Sequence, residues 1–115
     1  MKQLSILLVE DHAVIARDVQ KILQFVGYEV LGPFADAESA FAAFESRPCD
    51  ILVFDVELKG DATGIDLAER ILAKGRRPLV FITGLLQEDV RKRAIAMGAQ
   101  AFINKPFNER NLVNA

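Results

Sequence analysis

Five polar side chains in this sequence close or follow short apolar runs, and their functional groups are those that handle phosphate and hard cations. Glu10 and Asp11 follow Ser5-Ile-Leu-Leu-Val9, Asp55 follows Ile51-Leu-Val-Phe54, Thr83 follows Leu79-Val-Phe-Ile82, and Lys105 comes shortly after Ala101-Phe-Ile103. Each has a plain reading on its own: the acidic pair caps the next helix, Asp55 opens a turn, Thr83 caps, and Lys105 is solvated. Brought together they read differently. Clustered carboxylates repel one another, and a fold has no structural use for them unless a cation or Lys105 compensates. Oxygen donors without a supporting Cys or His cluster select a hard cation, and Mg2+, which takes few carboxylates plus water and phosphate oxygens, suits them best. The chemistry expected is therefore phosphoryl transfer. Asp55 is the candidate nucleophile and would form a labile acyl phosphate. Mg2+ and Lys105 would neutralise the phosphoryl oxygens, and the Thr83 hydroxyl would donate a hydrogen bond.

The elements that must position these groups alternate along the chain. The runs Ser5–Val9, Tyr28–Leu31, Ile51–Phe54, Leu79–Ile82 and Ala101–Ile103 read as strands. Several lack polar alternation, which marks strands buried on both faces, as in a parallel sheet covered by helices. Between them, Ala13–Val26 places Val14, Ile15, Val19, Ile22, Leu23 and Val26 at helical spacing, with Gly27 as its terminator. Asp36 is placed to N-cap a helix running through Ser46, and Pro48 follows it. Gly64–Lys74 and Gln87–Met97 repeat the pattern, ended by Gly75 and Gly98. Asn108–Ala115 reads as the start of a fifth helix, and the expectation is a single domain over residues 1–115, truncated within that helix.

Alternating units of this kind, with right-handed crossovers, predict an α/β fold with a doubly wound five-stranded parallel sheet in the order 2-1-3-4-5. In such sheets ligands bind outside the carboxyl ends of the strands, where the strand order switches. All five polar groups fall at that edge.

Glu10-Asp11, Asp55, Thr83 and Lys105-Pro106, in this order and on successive units, resemble the signature of response-regulator receiver domains of two-component signalling, the CheY-like superfamily. The likeness spans essentially the whole chain. It implies a flavodoxin-like (βα)5 fold and a signalling phosphoacceptor that assists its own phosphorylation and dephosphorylation, not an enzyme with a turned-over substrate. It implies Mg2+ held by Asp11 and Asp55, with Glu10 acting through water and Glu57 through its backbone carbonyl. Asp55 would be the phosphoacceptor, Thr83 and Lys105 would contact the phosphoryl group, and Gly84 would give close backbone access. The Lys105–Pro106 bond would be cis. Switching would couple Thr83 to Phe102. The donor would be a phosphohistidine on a histidine kinase or histidine phosphotransfer protein, and output would leave through the fourth helix, fifth strand and fifth helix.

The sequence departs from this pattern after Asp55, where many receivers carry Met-Pro and this chain carries Val56-Glu-Leu-Lys-Gly-Asp-Ala-Thr-Gly64. Glu57 is positioned to lie over the site, pair with Lys59, or hold a water near the acyl phosphate, and is expected to set phosphate lifetime through its charge. Phe81-Ile-Thr-Gly84 partly resembles a receiver subgroup with Phe-Ala-Thr-Gly, without the tyrosine that follows there. Phe102 has no hydroxyl, so a packing role stands beside the switch role. Arg91-Lys-Arg93 reads as a solvated helix face or as a steering patch for an acidic partner, and His12 as a helix-start residue or a ligand. Two other functions compete. A haloacid-dehalogenase-like phosphatase also uses an Asp, a Thr and a Lys, but expects an Asp at position 57. A receiver-like module that is never phosphorylated would not need the acidic set.

Composition narrows the classes further. With 115 residues, 51% hydrophobic and 26% charged, the chain suits one domain with a packed core. A net charge of −2 with interspersed signs offers no basic surface for nucleic acid. The single cysteine, Cys49, has no internal disulfide partner. Leu4–Val9 is too short for a secretory signal core and no run reaches membrane-spanning length. The expected location is cytoplasmic.

Overall fold

A computed structural model describes residues 3–58, 60, 62–83, 88–99 and 101–104. Its elements are β1 (Ser5–Val9), α1 (Ala13–Val26), β2 (Glu29–Phe34), α2 (Ala37–Ser46), β3 (Ile51–Phe54), α3 (Gly64–Leu72), β4 (Leu79–Thr83), α4 (Glu88–Ala96) and β5 (Ala101–Asn104). The strands form one parallel sheet in the order β2-β1-β3-β4-β5. This corrects the expected (βα)5 arrangement: the described chain has four β–α units followed by a fifth strand. The helix expected over Asn108–Ala115 lies outside the described residues.

The apolar strand runs are explained by a core on each face. Successive strand side chains point to opposite sides. Leu7, Val9, Leu52, Phe54, Leu79 and Phe81 therefore pack with Ala40 and Phe44 of α2, Ile65, Ala68 and Ile71 of α3, and Ala94 of α4. Ile6, Leu8, Val53, Val80 and Ile82 point the other way and pack with Val19 and Leu23 of α1. A one-residue slip of β1 or β3 would exchange the two sets, so burial on both sides fixes the register.

Local signals set the helix ends. Asp36 caps α2 by accepting the Ser39 N–H at 2.7 Å, and Gly27 ends α1 at φ +119°, where its N–H reaches the Gln24 and Leu23 carbonyls. The expected end of the second strand at Leu31 is corrected to Phe34. Pro33 lies within β2, which is an edge strand, where proline is tolerated in a sheet. The register shifts between Leu7 and Val9, beside Gly32, where an added Cβ would lie 2.6 Å from the Leu8 carbonyl oxygen. The third helix stops at Leu72, two residues before the expected Lys74.

Away from the sheet's carboxyl edge, Arg70 stacks on the Phe41 ring at 3.9 Å and Arg77 on the Phe44 ring at 4.7 Å. Arg77 also donates to the carbonyl of Cys49 at 2.8 Å, and the Cys49 side chain is buried. Among the described residues no helix is long and apolar enough to cross a membrane.

Candidate functional site

Main-chain hydrogen bonds place the first two acidic segments side by side. The Glu10 N–H donates to the Phe34 carbonyl at 2.8 Å, and the Asp55 N–H donates to the Val9 carbonyl at 2.8 Å. Glu10 thus leaves β1 against the end of β2, and Asp55 leaves β3 against the end of β1. Glu10 and Asp55 are each 4% exposed, deeply buried for carboxylates.

One carboxylate oxygen from each of Glu10, Asp11 and Asp55 can be chosen so that all lie within 4.8 Å of one another. Two unit charges at about 5 Å repel by roughly 3 kcal/mol at an effective dielectric of about 20. Three such groups, two of them buried, form a site that a cation would stabilise. The donors are all oxygens, hard and anionic, which fits Mg2+ and not a thiolate- or imidazole-seeking metal.

Hydrogen bonds orient two of the acids. Glu10 Oε2 accepts the His12 N–H at 3.1 Å, and Asp55 Oδ1 accepts the Glu57 N–H at 3.2 Å. His12 is the N-cap of α1, its Nδ1 accepting from the Ile15 N–H at 3.4 Å. The cap is therefore the histidine and not the acidic pair, and its ring is engaged at the helix start. The Glu57 side chain is exposed. Its carboxylate is not one of the three grouped acids, so its connection to Asp55 runs through its backbone.

The loop after Asp55 returns to Asp55. The Gly64 N–H donates to the Val56 carbonyl at 2.7 Å. A Cβ built on Gly64 would overlap the Asp55 carbonyl oxygen and stand 2.9 Å from its carbon, so only glycine permits this approach. Thr63 and Asp66 hold the turn with a capping box: Asp66 Oδ2 accepts from the Thr63 N–H at 2.9 Å, and Thr63 Oγ1 accepts from the Asp66 N–H at 3.2 Å. The Thr63 N–H, first of all, holds the Asp66 carboxyl below its ordinary pKa, with Arg93 and the Thr63 hydroxyl adding to the effect. The sequence reading missed this device, although Thr63-Gly-Ile-Asp66 carries its S/T-x-x-D/E pattern.

The remaining predicted residues are placed by strand register alone. Phe54 pairs with Phe81 across β3 and β4, so Thr83, the last residue of β4, stands one position beyond the level of Asp55. Phe102 pairs with Phe81 and Asn104 with Thr83 across β4 and β5. Lys105, Pro106, Gly84 and Lys59 lie outside the described residues, and with them the expected cis bond and the Glu57–Lys59 pair. In Arg91-Lys-Arg93, Arg93 is not held out for a partner: it bonds Asp66 at 3.1 Å and also Glu69, both on α3.

Comparison with known proteins accords with this geometry. The model of the response regulator receiver domain family matches residues 6–115. The chain is 34% identical over 110 residues to the transcriptional regulatory protein PdtaR of Mycobacterium tuberculosis, covering 96% of this chain and 53% of that protein. It is 32% identical over 112 residues to the phosphate regulon transcriptional regulatory protein PhoB of Pseudomonas aeruginosa, covering 95% and 48%. The chain thus spans about half the length of these curated relatives. Among solved structures, a CheY-like receiver domain protein from Methanospirillum hungatei superposes with a TM-score of 0.90 at 30% identity, covering 98% of this chain and 90% of that one. The non-phosphorylated HemR receiver domain from Leptospira biflexa gives 0.86 at 31% identity, covering 98% and 90%. The phosphatase alternative has no footing beside these matches. The chain belongs to the response regulator receiver domain family, and its role is that of a signalling phosphoacceptor of the two-component type.

Proposed function

We propose that Asp55 is the phosphoacceptor and that Glu10, Asp11 and Asp55 hold the Mg2+ its phosphorylation needs. The observation that carries this is the convergence of the three carboxylates at the sheet's carboxyl edge, with Asp55 at the end of β3. An Asp55 oxygen forms a bond to phosphorus as the phosphorus–nitrogen bond of a donor phosphohistidine breaks, and the electron pair returns to the donor imidazole. Mg2+, when bound, supplies positive charge that offsets the phosphoryl oxygens. Glu57's N–H holds Asp55 Oδ1 and so orients the acceptor carboxylate. Asp11 and Asp55 would bind the ion through their side chains, Glu10 through water, and Glu57 through its carbonyl. Thr83 and Lys105 would bind the phosphoryl oxygens, and Thr83 with Phe102 would carry the switch.

The partners in this reading are a histidine kinase or histidine phosphotransfer protein upstream and a protein downstream, reached through the face that includes α4 and β5. The domain works in the cytoplasm and does not itself contact nucleic acid, in keeping with its net charge of −2. The test is intact mass after incubation with Mg2+ and acetyl phosphate. One phosphoryl adduct is expected, absent from Asp55→Asn and from a chelated control. No adduct with acetyl phosphate or with phosphohistidine donors would overturn the assignment in favour of a constitutive binding module.

A further inference from the structure

Asp66 belongs to two assemblies. Through Oδ2 it closes the capping box with Thr63, which fixes Gly64 against the backbone of Asp55 and Val56. Through Oδ1 it accepts from Arg93 of α4 at 3.1 Å, and the same guanidinium nitrogen bonds Glu69 one turn along α3. We propose that Asp66 is a positioning residue for the chemistry at Asp55, and that its grip on Arg93 makes the first turn of α3 a mechanical link between that site and α4. The inference rests on the reading of Asp55 as acceptor.

The physical reason is the lack of slack. Gly64 meets the Asp55 carbonyl with no room for even a methyl group and sits 3.2 Å, measured from an added Cβ, from the Val56 Cα. A close-packed contact transmits displacement, so a shift of the Asp55–Val56 backbone must carry Gly64 with it. Gly64 is the first residue of α3, two before Asp66. Ile65, Leu67, Ala68 and Ile71 are buried, so the helix responds as a packed unit. Asp66 and Glu69 then carry Arg93. This route uses none of Thr83, Phe102 or β5. Coupling between two sites is reciprocal, so what α4 binds would also act back on Asp55 through the same bonds.

The test separates positioning from capping. In the protein with Mg2+ and acetyl phosphate, Asp66→Ala should slow adduct formation about fivefold or more, within the usual range of coupling between sites. Asp66→Asn, whose amide oxygen can still accept from Thr63, should restore the rate. Asp36→Ala, which removes the N-cap of α2, should leave it unchanged. In Arg93→Gln, which keeps the capping box, the amide NMR shifts that beryllofluoride induces across Glu88–Ala96 should shrink about twofold. A wild-type rate in Asp66→Ala, equal slowing in Asp36→Ala, or undiminished shifts in Arg93→Gln would overturn the inference. Failure of the wild-type protein to form any adduct would instead overturn the acceptor assignment on which it stands.

Discussion

The N–H of Gly64 and the carbonyl of Val56 close a hydrogen bond of 2.7 Å that presses Gly64 onto Asp55. The backbone around Asp55 is thus braced from two sides, by Val9 in the sheet and by the first residue of α3. Gly64→Ala forces the two backbones apart. Overpacking of this kind costs about 1–3 kcal/mol, so the urea midpoint should fall and adduct formation should slow together. A midpoint equal to wild type would mean that the loop relaxes freely.

Removing one acid should stabilise the metal-free protein. Asp11→Asn relieves repulsion among Glu10, Asp11 and Asp55, and a gain of about 1–3 kcal/mol is expected from charges at this separation. Thermal unfolding with a chelator should show the variant melting above wild type. Adding Mg2+ should reverse the order, because binding to the folded state raises the wild-type midpoint. A variant that gains as much from Mg2+ as wild type would remove Asp11 from the metal site.

Acid should weaken the protein partly through Asp66. Its folded pKa lies below the ordinary value, chiefly because of the Thr63 N–H bond. More protons bind to the unfolded state over that interval, so this contribution is complete above about pH 4 and is lost as pH falls through the folded pKa. Asp36 acts with the same sign through the Ser39 N–H. Urea midpoints between about pH 5 and pH 2.5 should therefore fall less steeply in Asp66→Asn than in wild type.

Glu57 tests whether charge beside Asp55 would set the lifetime of an acyl phosphate formed there. Its amide serves Asp55 while its side chain is exposed. Glu57→Ala should alter the rate at which the adduct is lost and leave Mg2+ affinity as in wild type. Mass spectrometry after donor removal measures the first, and calorimetry the second. An unchanged loss rate would assign Glu57 a backbone role alone.

What the sequence discloses here is what local physics decides. Gly27 and Asp36 act within a few residues of themselves, and the helices they bound lie where their spacing says. The acidic trio was legible because parallel strands bring their ends together, so type and position suffice. The extension of β2 through Pro33 to Phe34 was not legible, because proline is tolerated in an edge strand and edge position is a property of the whole sheet. Arg93 looked like a solvated charge because its partners Asp66 and Glu69 are distant in sequence. The contact of Gly64 with Asp55 depends on how a nine-residue helix lands, which no periodicity records.

Cys49 offers a consequence of another kind. It is 6% exposed, burial pushes its thiol above the ordinary pKa, and Arg77 fastens its carbonyl from the segment before β4. A thiolate-seeking reagent must wait for that corner to open. The protein thus carries its own clock: with one cysteine in the whole chain, the pace of alkylation under native conditions times the opening of the sheet's far end. The acidic site can be loaded or emptied meanwhile without attaching any label.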